Sequence, residues 1–110
     1  KGRTDDMLIV GGVNVFPSQI ETVLMNVPEV GNNYQIVLDR RNNLDRIHVR
    51  VELYNKMFEG DIKALDALRK KIVERLKALI TVNPKVELLE PGSLPPSMGK
   101  AVRVIDKREI

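Results

Sequence analysis

Two stretches of this chain carry residue types that could act on a substrate, and they lie at opposite ends of it. Near the C-terminus, Pro95-Pro96-Ser97-Met98-Gly99-Lys100 sets a lysine directly after a glycine in a proline-punctuated loop. Lysine is a compact positive charge on a long stem, suited to meet negative charge that develops during a reaction. A stabiliser placed that way is typically worth ~3–4 kcal/mol, or about 10²–10³ in rate. Near the N-terminus, Gly11-Gly12 ends the apolar run Met7-Leu8-Ile9-Val10. Paired glycines allow positive φ and let a ligand come close to the backbone. Arg3 and Asp5-Asp6 lie just upstream.

No self-contained active site of a common type is present. A Ser-His-Asp arrangement needs a placed histidine, and the only one, His48, falls in mid-strand on a polar face. Without cysteine there are no disulfides and no thiolate metal ligands, and no histidine cluster has metal-ligand spacing. Gly11-Gly12 is too short for a Walker-type phosphate loop. The two loops therefore read as parts that complete a site held elsewhere.

The elements that must position these loops are legible from periodicity. Met7–Val10 reads as a short buried strand. Ser18-Gln19-Ile20-Glu21 fits a capping box, and Ile20, Val23, Leu24 and Val27 follow at helical spacing until Pro28. Tyr34–Leu38 reads as a strand. Ile47, Val49, Val51 and Leu53 alternate with polar residues in the next, with Arg40-Arg41-Asn42-Asn43 as the hairpin loop between them. Gly60-Asp61 precedes a helix from Ile62 to Ile80 whose apolar stripe is Leu65, Leu68, Ile72, Leu76 and Leu79. Val86 and Leu88 alternate in another strand, and Val102 and Val104 in a last short one. The order β-α-β-β-α-β-(β) predicts an α+β two-layer sandwich, a small mixed or antiparallel sheet with two main helices.

Composition narrows the class. One domain fits 110 residues. The net charge of +3 is mild, and the four aromatics (Phe16, Tyr34, Tyr54, Phe58) lie outside any basic run, which argues against nucleic-acid binding. No apolar run nears the ~18 residues of a membrane span. With the absence of cysteine, these features lead us to expect a cytoplasmic protein that binds neither nucleic acid nor membrane. The patterned segment starts at Lys1 itself, so we expect a fragment of something longer.

The run Asn14-Val15-Phe16-Pro17-Ser18-Gln19-Ile20-Glu21 and the ending Gly99-Lys100-Ala101-Val102-Arg103-Val104-Ile105-Asp106 carry a resemblance. They resemble the two signature stretches in the C-terminal domain of the adenylate-forming superfamily, which includes acyl-CoA synthetases, peptide-synthetase adenylation domains and luciferases. The nearest likeness is to the phenylacetate–CoA ligase family. It covers essentially the whole chain, with both motifs in the expected order.

The resemblance implies that residues 1–110 form the mobile lid domain of a ligase whose large N-terminal domain is absent. The full enzyme would join ATP to an aryl or acyl carboxylate as an acyl-adenylate, rotate the lid, and then pass the acyl group to coenzyme A. ATP and coenzyme A would be substrates, and Mg would be bound by the missing domain. The fragment alone would bind no cofactor and would be inactive. Lys100 would be the catalytic adenylation lysine, Asp5 the hinge and Arg3 a nucleotide contact. Val10, Gly11, Gly12 and Val13 would line the coenzyme A tunnel. Two positions depart from the family pattern: Gly11 stands where arginine is usual, and Pro96 where a basic or polar residue is common. The alternative, on fold analogy alone, is a small-molecule-binding regulatory α+β domain.

Overall fold

The computed structural model describes residues 7–54, 62–94 and 104–108. Eight elements follow in order: β1 (Leu8–Val10), β2 (Val13–Val15), α1 (Pro17–Met25), β3 (Val30–Arg41), β4 (Leu44–Leu53), α2 (Ile62–Ile80), β5 (Lys85–Leu89) and β6 (Val104–Asp106).

β1 and β2 form a small hairpin of their own, with Leu8 opposite Val15 and Val10 opposite Val13. Its two-residue turn is Gly11-Gly12, at φ 57° and 83°. Two successive positive φ values twist a turn the way a hairpin twists, which is why glycines sit there. The pattern reading stopped at Val10. It missed β2 because Val13-Asn14-Val15 is too short for alternation to stand out.

The helix α1 begins two residues earlier than its capping box suggested. Pro17 occupies the first helical position, and Phe16 is the extended N-cap. The Gln19 side chain reaches back to accept the Phe16 backbone N–H at 2.9 Å. Ser18 is therefore inside the first turn and is not the cap. Ile20, Val23 and Leu24 bury the inner face.

β3 and β4 are much longer than their apolar alternation and form the spine of the sheet. Ile36 pairs with Val49 and Leu38 with Ile47, and the register runs unbroken from Tyr34–Val51 out to Arg41–Leu44. The turn is Asn42-Asn43 alone, at φ 54° and 66°. Asparagine tolerates this left-handed region better than most residues. Arg40 and Arg41, expected in the loop, are strand residues. A register shift interrupts β3 between Val30 and Tyr34.

The sheet order is β5-β4-β3-β6. β3 and β4 are antiparallel, while β5 joins β4 and β6 joins β3 in parallel, so the sheet is mixed. The helices α1 and α2 pack on each other, α1 on β3 and α2 on β5, which makes the two layers of an α+β sandwich. One core runs between them through Ile20, Leu24, Ile36, Leu38, Val49, Val51, Ile72 and Leu76, and it takes in Val10 and Val15 of the first hairpin.

The buried stripe of α2 is Leu68, Ile72, Leu76 and Ile80, a strict four-residue spacing. Leu79, placed on the stripe from sequence, is 43% exposed. Three-residue and four-residue steps both fit a helical face, and only the partner surface chooses between them. α2 ends at Thr81, which adopts φ 62°. Its N–H still bonds the Lys77 carbonyl at 3.0 Å.

Candidate functional site

The candidate residues divide between described and undescribed parts of the chain. Arg3, Asp5 and Lys100, with the Gly99 loop, lie outside the described residues, as does Gly60-Asp61 ahead of α2. The β1–β2 turn is described. Gly11 and Gly12 are both exposed at its tip. Among the described residues, a Cβ built on either glycine would meet nothing within 4 Å, so it is conformation and not crowding that calls for glycine. Val10 gives its side chain to the core, and Val13 packs partly against it. What the turn presents outward is bare backbone.

That turn is braced from behind. Asp45, at the start of β4, accepts the Gly11 N–H through Oδ2 at 3.0 Å. Its other oxygen accepts Arg40 Nε at 2.8 Å. Arg108, just beyond β6, donates through Nη1 to the same Asp45 Oδ2 at 3.1 Å and to the carbonyl of Ile9. Two further bonds tie the Arg108 guanidinium to Asp106, Nε to Oδ1 at 3.0 Å and Nη2 to Oδ2 at 2.9 Å. The Asp45 and Arg108 side chains are only 12% and 13% exposed, so this ion pair is poorly screened. The Gly11 N–H, and then Arg40, hold the Asp45 carboxyl down to about 2 from its usual 3.8. The bond from Arg108 likewise lowers Asp106 and raises Arg108 itself.

A second carboxylate of β4 holds the segment that leads toward Lys100. Glu52 is 5% exposed. Its neighbours Val51 and Leu53 face the core, so by strand alternation Glu52 projects from the opposite face of the sheet. There Oε2 accepts the Leu94 N–H at 2.6 Å, and Oε1 accepts the Gly92 N–H at 3.1 Å and Asn33 Nδ2 at 3.4 Å. Leu94 is itself buried. Gly92 turns the chain at φ 83°, and Ser93 bonds back to the Glu90 carbonyl. Three donors on one buried carboxylate satisfy most of its acceptor capacity.

Neither Asp45, Glu52 nor Arg108 was singled out from sequence. Asp45 and Glu52 look like ordinary polar positions of an alternating strand. His48, given no role, stands half-exposed with Nε2 3.8 Å from Asp39 Oδ2. Among the described residues no group of three or more potential ligands is arranged to hold a metal ion. No described helix is long and apolar enough to cross a membrane.

Comparisons with known proteins match this architecture over almost its full length. The family model described as AMP-binding enzyme C-terminal domain matches residues 12–108. The phenylacetate-coenzyme A ligase of Thermus thermophilus is 43% identical, with 98% of this chain and 27% of that protein covered. A solved domain of the phenylacetate-coenzyme A ligase from Bacteroides vulgatus is 42% identical with a TM-score of 0.87, covering 98% of both chains. A 2-hydroxyisobutyryl-CoA ligase, solved with 2-HIB-AMP and CoA in the thioesterification state, is 35% identical with a TM-score of 0.86. That match covers 98% of this chain and 22% of that one. The chain thus spans about a quarter of the curated relatives' length.

Proposed function

The chain belongs to the AMP-binding enzyme C-terminal domain family, and from that premise we propose that it is the mobile lid of an ATP-dependent acid–CoA ligase acting on phenylacetate or a similar carboxylate. The observation that carries this reading is the likeness to the ligase domain solved with both an acyl-adenylate and CoA.

The reaction runs in two steps. A carboxylate oxygen attacks the α-phosphorus of ATP, the bond to the β-phosphate breaks, and pyrophosphate leaves with its electron pair. Lys100 meets the negative charge that accumulates there. The lid then turns about Asp5 relative to the N-terminal domain, with Arg3 beside the nucleotide. A hinge needs only one or two residues that absorb a large φ/ψ change. In the second orientation the sulfur of coenzyme A attacks the acyl carbonyl carbon. The C–O bond to AMP breaks, AMP departs, and the thiol proton passes to solvent. The Gly11-Gly12 turn, flanked by Val10 and Val13, forms a wall of the path that the thiol arm follows. Alone, the chain has no acid or nucleotide to meet and is inactive.

In the full-length ligase, Lys100→Ala tests the assignment. Acyl-adenylate formation should fall by about 10²–10³ while supplied acyl-adenylate is still converted to thioester. Equal loss of both half-reactions would remove the specific role from Lys100.

A further inference from the structure

We propose that Asp45 and Arg108 are positioning residues for the thioester step, a clamp that fixes the Gly11-Gly12 turn in the shape that the thiol arm requires. The proposal rests on reading that turn as a wall of the coenzyme A path.

The turn cannot hold its own shape. Two glycines have the widest backbone freedom of any pair, and here neither has a side chain to pack. Both φ values are positive, and the turn closes strands of only three residues each. A hairpin that short is marginal by itself. Yet its backbone is gripped at two points on the β1 side of the turn: the Gly11 N–H by Asp45 and the Ile9 carbonyl by Arg108. The grips join each other through the Asp45–Arg108 ion pair. They come from two distant parts of the chain, the β3–β4 hairpin tip and the segment after β6. Charge-assisted bonds of this kind are stronger and shorter than neutral ones. A Cβ on Gly12 would meet nothing within 4 Å among the described residues, so the exposed edge of Gly12 stays free of side chains. A path for a slender thiol arm needs that bare edge at a fixed place, since displacement by about 1 Å can cost roughly a hundredfold in rate.

The test uses the full-length ligase and reads the two half-reactions separately. Asp45→Asn keeps the size of the side chain but loses the charge. It should lower kcat/KM for coenzyme A, measured with supplied acyl-adenylate, by about tenfold or more, with pyrophosphate release within about twofold of wild type. Arg108→Lys keeps the positive charge but loses the fork whose Nε and Nη2 are tied to Asp106 while Nη1 spans Ile9 and Asp45, so it should show the same selective loss. It also serves if Asp45→Asn does not fold. Equal decline of both half-reactions in these variants would mean a merely structural role and overturn the proposal, as would an unaffected thioester step. Gly12→Val separates this from the reading beneath it. If Gly12→Val blocks the thioester step and the clamp variants do not, the clamp alone fails. If Gly12→Val leaves that step intact, the wall assignment fails and the clamp proposal with it.

Discussion

Asp45 and Glu52 stand seven residues apart on one unbroken strand, so their carboxylates leave β4 on opposite faces of the sheet. At ~3.3 Å per residue they are about 23 Å apart along it. Asp45 holds the Gly11-Gly12 turn on the helix-covered side, at the hairpin-tip end. Glu52 holds Gly92 and Leu94, the approach to the lysine loop, on the other side and at the far end. A single strand thus anchors the Gly11-Gly12 turn and the Gly92–Leu94 segment.

Glu52 should prove costly to remove. Glu52→Ala leaves the N–H of buried Leu94, the N–H of exposed Gly92 and half-buried Asn33 without their acceptor. Unpaired buried donors cost about 1–3 kcal/mol each when nothing relaxes. We expect the variant to unfold at lower urea concentration, with a loss of roughly 2–4 kcal/mol. A midpoint unchanged from wild type would show that the 91–94 segment does not depend on this anchor.

The Asp45 clamp should weaken in acid. Its folded value of about 2 lies below its usual 3.8, so folding favours the ionised form. The stabilisation is complete above the unfolded value and is lost as pH falls from about 4 toward 2. Asp66, next to Arg69 and Lys70, and Asp106, next to Arg108, shift in the same direction. The melting temperature of the wild type should therefore drop through this window, and that of Asp45→Asn should drop less. Parallel acid limbs for the two proteins would rule out a contribution from Asp45.

Thr81 is the place to gain stability. It ends α2 with φ 62°, which a β-branched residue adopts at a cost of about 1–2 kcal/mol. Among the described residues its hydroxyl bonds the adjacent Ile80 carbonyl. Thr81→Gly relieves the strain and should raise unfolding free energy by roughly 1 kcal/mol, net of the greater freedom of glycine when unfolded. A loss of stability would mean that the local hydroxyl bond outweighs the backbone term.

For the hinge, Asp5→Pro in the full-length ligase fixes φ near about −65° and should trap the lid in one orientation. Overall turnover should fall while the half-reaction suited to the trapped orientation survives. Normal rates for both would show that the rotation pivots elsewhere.

The sequence alone determined the layers, the order of the elements apart from β2, and the span of α2, because these follow from local periodicity. Ile62–Ile80 begins and ends where the apolar spacing begins and ends. It also carried the two motifs, and with them the family, since Gly99-Lys100 and Asn14–Glu21 are read one residue at a time. Local pattern was silent where a partner decides. Four-residue spacing on α2 put Ile80 in the core and Leu79 outside because the sheet surface received one and not the other. The Gln19 side chain and Pro17, which the capping-box pattern did not weigh, set where α1 starts. The clamp of Asp45 and Arg108 on the first hairpin, and the anchor at Glu52, join residues 19 to 99 positions apart. A carboxylate's partners at that separation depend on register and strand order, and no spacing along the chain records them. What the residues at the two loops are was written locally; that one strand holds the Gly11-Gly12 turn and the Gly92–Leu94 segment, from opposite faces, arose only when β3 and β4 paired.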